Sequence, residues 1–257
     1  RDAGVKVAYH LMPNLPGATP AMDIETARQV FADPAYRPDT IKLYPCVVVE
    51  TAELYEWWKA GQYQPYDDET LVELLIQIKQ LIPPYVRIER VIRDIPSTSI
   101  LGGCRITNLR EEVHRRMRQR GLSCRCIRCR QLREDADGKF TLIRRDYEAG
   151  DGIEVFLSFE DAATDRLACL LRLRIPAPAS CGRPHWVREL SGAALIRELH
   201  TYGRHLPLRS HTDEAAQHQG FGRRLLQEAE RIAGQEYGRR RVAVIAGVGV
   251  REYYRRL

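Results

Sequence analysis

The sequence predicts an α/β protein in two parts, and three observations carry that expectation. Residues 5–91 alternate short β-rich runs with helical stripes, the pattern of a parallel sheet or of part of a barrel. Residues 153–202 hold three longer runs that read as antiparallel strands. A glycine-containing turn then opens a helix at residues 222–233, followed by one more strand and a last helix.

In order, residues 5–10 read as the first strand, which Pro13, Pro16 and Gly17 break, and Asp23 is placed to cap a helix that runs to residue 31. Residues 40–44 and 46–49 are β-rich, and residues 52–59 read as a short helix. Leu71, Leu74, Leu75 and Ile78 recur at helical spacing in residues 69–81, and Pro83 and Pro84 stop that helix. A further strand follows at residues 86–91. The middle changes character: residues 108–120 read as a basic helix closed by Gly121, which runs into Cys124, Cys126 and Cys129. After Gly150 and Gly152 come strands at 153–159, 167–174 and 194–202, then a loop rich in His and Pro. The helix at 222–233 has Leu225, Leu226, Ala229 and Ile232 on one side, and a strand at 242–245 and a helix at 250–257 end the chain. Three segments result: 1–103, an α/β barrel portion; 104–150, a basic linker with a cysteine-rich metal site; and 151–257, a cofactor domain.

Hydrophobic residues make up 44% and charged residues 29% of the 257, a composition that argues against disorder and against a membrane protein. No apolar run approaches the roughly 20 residues that span a bilayer, and the start, Arg1-Asp2-Ala3-Gly4, lacks a signal-peptide layout. A cytoplasmic protein without membrane contact is expected. Lys and Arg number 40 against 34 Asp and Glu, and the arginines concentrate between residues 87 and 133. Guanidinium forks suit phosphates, so the stretch predicts a nucleic-acid surface, with Arg87, Arg90, Arg93, Arg110 and Arg116 as candidates. The alternative is a solvated face balanced by Glu89, Asp94, Glu111 and Glu112, which the arginine excess outweighs.

The run Gln217-His218-Gln219-Gly220-Phe221-Gly222 lies at the start of a predicted helix. A glycine turn at a helix N-terminus leaves main-chain N–H groups free for an anion such as a pyrophosphate, and glycine lets the backbone approach it closely. In its order of strand, glycine turn, helix, strand and a helix bearing two tyrosines, the region resembles the acetyl-coenzyme A core of GNAT acetyltransferases. The terminal Tyr253-Tyr254-Arg255-Arg256-Leu257 stands where that family's last motif stands. By this resemblance the six residues from Gln217 to Gly222, with Tyr253, line the cofactor, and Tyr254 protonates the departing thiolate. In the strand before the turn, alternation puts Glu198 and His200 on one face, as a base or water-positioning pair or as a structural pair with nearby arginines.

Cys124, Cys126 and Cys129 form a C-x-C-x-x-C group whose thiols can converge on a soft ion, zinc being the usual occupant. His114, Cys104, Cys46 or water stand open as the fourth ligand, and a cluster of reduced structural thiols is the alternative. The spacing does not match a radical-SAM iron–sulfur motif.

Along most of its length the chain resembles the catalytic subunit of Elongator in its single-subunit bacterial or archaeal form. The resemblance rests on His10-Leu11-Met12-Pro13, Leu15-Pro16-Gly17, Ile41-Lys42-Leu43-Tyr44-Pro45, Glu53-Leu54-Tyr55-Glu56-Trp57-Trp58, Arg87-Ile88-Glu89-Arg90, Arg93-Asp94-Ile95-Pro96, Asn108-Leu109-Arg110, Arg197-Glu198-Leu199-His200 and the segment from Gly247 to Tyr254. It implies the C-terminal part of a radical-SAM-type barrel followed by a GNAT fold, with tRNA bound across both. It further implies carboxymethyl modification of carbon 5 of the wobble uridine with acetyl-CoA as the two-carbon donor, tRNA-stimulated hydrolysis of acetyl-CoA, and zinc on the matching cysteines. S-adenosylmethionine and a [4Fe-4S] cluster belong to the whole family protein; the cluster-binding half is absent from this sequence, which is therefore not expected to hold the cluster. A homodimer is allowed. The competing readings are a protein lysine acetyltransferase, against which the arginine excess counts, and a non-catalytic tRNA-binding scaffold.

Overall fold

The computed structural model describes residues 1–133, 138–177, 185–203 and 220–256. They form two compact units, Val7–Cys129 and Arg130–Leu257, the latter including Arg1–Lys6. This division falls inside the segment 104–150, leaving the cysteines with the first unit and residues 130–150 with the second.

In the first unit, β1 (Ala8–Leu11), β2 (Thr40–Leu43) and β3 (Arg87–Arg90) form a parallel sheet in that order. Parallel neighbours need crossovers, which α1 (Pro20–Ala32), α2 (Leu54–Lys59) and α3 (Asp68–Leu81) supply. Thr19 caps α1, its Oγ1 accepting from the Met22 N–H at 3.3 Å, and Pro20 occupies the first turn. Asp23 is therefore not the cap. Its carboxylate accepts from the Asn14 N–H at 2.9 Å and the Tyr66 hydroxyl at 3.1 Å, pinning the β1–α1 loop where Asn14 takes a φ of 67°. Asp67 caps α3, and the stripe Leu71, Leu74, Leu75 and Ile78 is buried, as are Ile41, Leu43 and Ile88 of the sheet.

Two sequence expectations shift for identifiable reasons. The first strand begins at Ala8 rather than residue 5, because residues 1–6 pack in the second unit, where the Val5 carbonyl accepts from Arg197 at 2.9 Å. The run 46–49 makes only the bridge Val48–Gly102, and the Cys46 N–H goes to the Pro13 carbonyl at 2.9 Å instead of to a ladder. Helix α4 (Leu109–Gln119) buries Leu109, Val113 and Met117, one residue per turn, and leads past Gly121 (φ 66°) to α5 (Ile127–Arg130).

The second unit is a five-stranded sheet in the order β4 (Phe140–Ala149), β5 (Gly152–Asp161), β6 (Arg166–Ile175), β7 (Ala193–Thr201) and β8 (Arg241–Val244). All pairs are antiparallel except β7–β8. The helices α6 (Phe221–Arg231) and α7 (Arg251–Arg255) complete it. Alternation along β5 turns Val155, Leu157 and Phe159 to one face, where the Phe159 ring stacks on Phe221 of α6 at 4.4 Å. The other face holds buried ion pairs. Glu154 accepts from Arg197 at 2.8 Å, and Glu160 from Arg145 at 2.6 Å and Arg130 at 3.2 Å. Burial alone would raise the Glu160 carboxyl, but these guanidinium groups and the Ser158 hydroxyl outweigh it and hold it down at about 2. Among the described residues no helix is long and apolar enough to cross a membrane.

Candidate cofactor cleft and thiol centre

The cleft is built at the start of α6. Gly220 precedes the helix with φ 70° and ψ 12°, a left-handed conformation that glycine adopts without strain, and no side chain among the described residues caps the helix. The first-turn N–H groups of α6 have no intrahelical acceptor, so an anion meets donors and the positive helix end together. Gln217, His218 and Gln219 lie outside the described residues. Phe221 is 4% exposed and wedged against Phe159 and Phe140, so its side chain anchors the helix to the sheet while its backbone faces the turn. A Cβ on Gly222 would stand 3.2 Å from the Tyr253 hydroxyl and 3.9 Å from Leu199 and Thr201. The absent side chain thus defines a small recess between α6, β7 and α7.

Strand geometry opens the same recess. β7 pairs with β8 only over residues 193–196, whereas it pairs with β6 as far as Thr201. Beyond Ile196, β7 runs past the end of β8, so the two strands part there. Cys169 Sγ lies 3.2 Å from Thr201 Oγ1 below the recess. Burial raises the Tyr253 phenol, helped by Cys169 and opposed by Arg223; burial followed by Tyr253 raises Tyr254, and the two rings meet edge to face at 5.2 Å. Both phenols therefore keep their protons at neutral pH. Arg223, exposed in the first turn of α6, is a cation at this helix end that the sequence reading passed over; the dipeptide after the glycine turn was its only signal.

Glu198 and His200 do share a face, as alternation requires, but it is the opposite one. Leu199 and Thr201 face Gly222, while Glu198 accepts from Arg172 at 2.9 Å and from Lys6 at 3.0 Å. Burial raises Glu198, but Arg172 and then Lys6 outweigh it and keep the carboxyl below its ordinary range. His200 is exposed, its ring 4.3 Å from that of Tyr202.

In the first unit the sulfurs of Cys124, Cys126 and Cys129 lie within 4.8 Å of one another. The loop is held by the Ile127 N–H to the Val86 carbonyl at 3.0 Å. His114 Nε2, from α4, stands 3.5 Å from Cys129 Sγ, whereas Cys46 belongs to a separate cluster with Val48 and Tyr63. Burial, then Lys79 and Arg110, lower the His114 imidazole to about 4, so it is neutral and able to ligate at pH 7. Accepting from Cys124 and Cys129 holds the Cys126 thiol far below the ordinary thiol range. Converging soft donors, a neutral imidazole and the buried Lys79 ammonium, whose Nζ has no hydrogen-bond partner among the described residues, together fit a thiolate-bound dication.

The arginine stretch is more compensated than its sequence suggests. Arg116 pairs with Glu69 and Glu112, Arg120 with Glu73, and Arg90 with Asp94. Glu69 and Glu73 come from α3, so no local charge count along the stretch includes them. Arg110 donates to the Glu89 carbonyl at 3.1 Å, and Arg87 is half-buried in β3. Arg90 and Arg93 are exposed, with Arg93 5.9 Å from the Tyr44 ring centre.

Residues 38–119 match the Radical_SAM C-terminal domain. The whole chain is 48% identical to the tRNA uridine(34) acetyltransferase of Dehalococcoides mccartyi, covering 56% of that protein. It is 42% identical to the tRNA uridine(34) acetyltransferase of Methanocaldococcus jannaschii, covering 48% of it. With Homo sapiens Elongator complex protein 3 the identity is 44%, over 47% of that protein. The solved structure of the archaeal Methanocaldococcus infernus Elp3 with an N-terminal deletion superposes with a TM-score of 0.88 at 42% identity, over 99% of this chain and 61% of that one. The chain spans about half the length of the curated relatives it matches. Aligned throughout at this identity, the chain is similar along its whole length to about half of a tRNA uridine(34) acetyltransferase or Elongator complex protein 3.

Proposed function

We propose that this chain carries the acetyl-CoA-handling part of an enzyme that modifies the wobble uridine of tRNA. The observation that carries the reading is the left-handed Gly220 opening α6, with no side-chain cap among the described residues, beside a glycine recess and the place where β7 outruns β8. In this reading the first-turn amides of α6 and Arg223 take the diphosphate, with Gln217, His218 and Gln219 completing the loop. The pantetheine follows β7 where it outruns β8, and Tyr253, whose hydroxyl faces Gly222, lines the thioester. Tyr254 protonates the departing thiolate as water attacks the acetyl carbonyl carbon; in carboxymethyl transfer the methyl carbon of the acetyl group is the one joined to carbon 5 of the uridine, and the same hydrolysis then frees the carboxylate and coenzyme A. Glu198 and His200 support the strand from its other face, Glu198 through Arg172.

Cys124, Cys126, Cys129 and His114 would hold zinc, which supplies a structural crosslink between α4 and its following loop. Arg87, Arg90, Arg93, Arg110 and Arg116 are proposed for the tRNA backbone, the exposed Arg90 and Arg93 leading. S-adenosylmethionine and an iron–sulfur cluster belong, in this proposal, to the other half of the family protein. A cytoplasmic protein is proposed, with the homodimer left to its solution mass.

The test is release of coenzyme A from acetyl-CoA by the full-length protein. Addition of tRNA is expected to stimulate it. Tyr254→Phe should lower turnover by roughly 100-fold with tRNA affinity unchanged. Stimulation by a lysine peptide alone would make the protein a lysine acetyltransferase, and no turnover at all would leave a tRNA-binding scaffold.

A further inference from the structure

Lys79 sits where the logic of its helix forbids a charge. The buried side of α3 carries Leu71, Leu74, Leu75, Ile76 and Ile78, and Lys79 beside them is 1% exposed. Its Nζ has no hydrogen-bond partner among the described residues. An ammonium taken out of water without a partner is strongly unfavourable, and the usual remedy, reaching along the stem to solvent, is not used here. Something must offset the charge. Helix α3 lies along α4 through the Glu69–Arg116 and Glu73–Arg120 ion pairs, and α4 leads into the thiol centre described above, so Lys79, further along α3, lies toward that centre's end of the helix pair.

The charges then balance. Three thiolates with a dication leave one net negative charge, a neutral imidazole adds none, and one ammonium cancels it. We propose that Lys79 is the built-in counter-charge of the trithiolate centre, a positioning residue that matches the site to a dication of the zinc class and disfavours a monovalent soft ion. This rests on the reading of the cysteines as a metal site. Arg110 adds a weaker contribution: it is half-buried, donates one Nη to the Glu89 carbonyl and leaves the other buried without a partner. Helix α3 thereby acquires a role in metal retention although it supplies no ligand. A purely structural lysine predicts the reverse of the stability pattern below.

The test measures Zn²⁺ affinity of the full-length protein by competition with a chromophoric chelator, and the ligand set by Co²⁺ absorption. Lys79→Met should keep the thiolate-to-cobalt bands, because the ligands are untouched, while Zn²⁺ affinity falls roughly 10- to 100-fold, the usual range for an outer-shell partner. Lys79→Arg should stay within a few-fold of the parent. Metal-free Lys79→Met should melt at or above the metal-free parent, since it no longer buries an orphan charge. If methionine is not accommodated, Lys79→Gln gives the same uncharged comparison. Zn²⁺ affinity equal to the parent's in the uncharged variant overturns the counter-charge role; a parent that binds neither ion overturns the metal reading beneath it.

Discussion

Gly222→Val is expected to abolish acetyl-CoA binding and leave the protein folded. The added Cβ would press on the Tyr253 hydroxyl at 3.2 Å, and its methyl groups would fill the recess toward Leu199 and Thr201. The backbone at Gly222 is not in the left-handed region, and a valine in a helix is no worse than the glycine it replaces, so stability should move little. Calorimetric titration should show affinity reduced by roughly 100-fold or more, since a steric block removes phosphate contacts and pantetheine packing together, with the melting temperature within a few degrees of the parent. Gly220→Ala is the contrasting case: nothing lies within 4 Å of its Cβ, so its cost is the conformational one of about 1 kcal/mol for a left-handed residue. Gly222→Val binding acetyl-CoA as tightly as the parent would place the cofactor elsewhere.

Cys126→Ser is expected to have the largest effect on stability. Cys126 is fully buried and its sulfur lies within 4.8 Å of the other two, and a hydroxyl is a poor ligand for a soft dication. Because the ligands converge only in the folded state, metal binding is folding free energy, and its loss should lower the melting temperature by about 10 °C or more. A chelator should lower the parent by a similar amount and leave the variant unchanged. Metal affinity should also weaken in acid, as protons compete for the thiolates. A parent whose melting ignores the chelator would make the triad a cluster of reduced thiols.

Much of this was legible in the sequence where a period or a spacing is strict. The stripe of α3, the apolar side of α6, the strands β5 to β7 and the thiol triad each follow from residue types at fixed intervals. Strand β4 was not legible, because this edge strand carries Arg144, Arg145, Asp146 and Glu148 half in water and shows no apolar alternation. That Glu198 and His200 share a face was readable, but which side of the sheet they face was not. That depends on Arg172 and Lys6, which are far away in sequence. Likewise Asp23 has the chemistry of a cap, yet Thr19 wins that place because Pro20 sets the first turn, freeing Asp23 for Asn14 and Tyr66. Lys79 passes as a polar position on a helix until its burial is seen.

The account turns on the start of α6, and amide hydrogen exchange with and without acetyl-CoA measures that place directly. Saturating acetyl-CoA should slow exchange at Phe221, Gly222 and Arg223 and along β7 beyond Ile196, with little change in the sheet β1–β3. Protection confined to other segments, with these amides exchanging at their ligand-free rates, would contradict it.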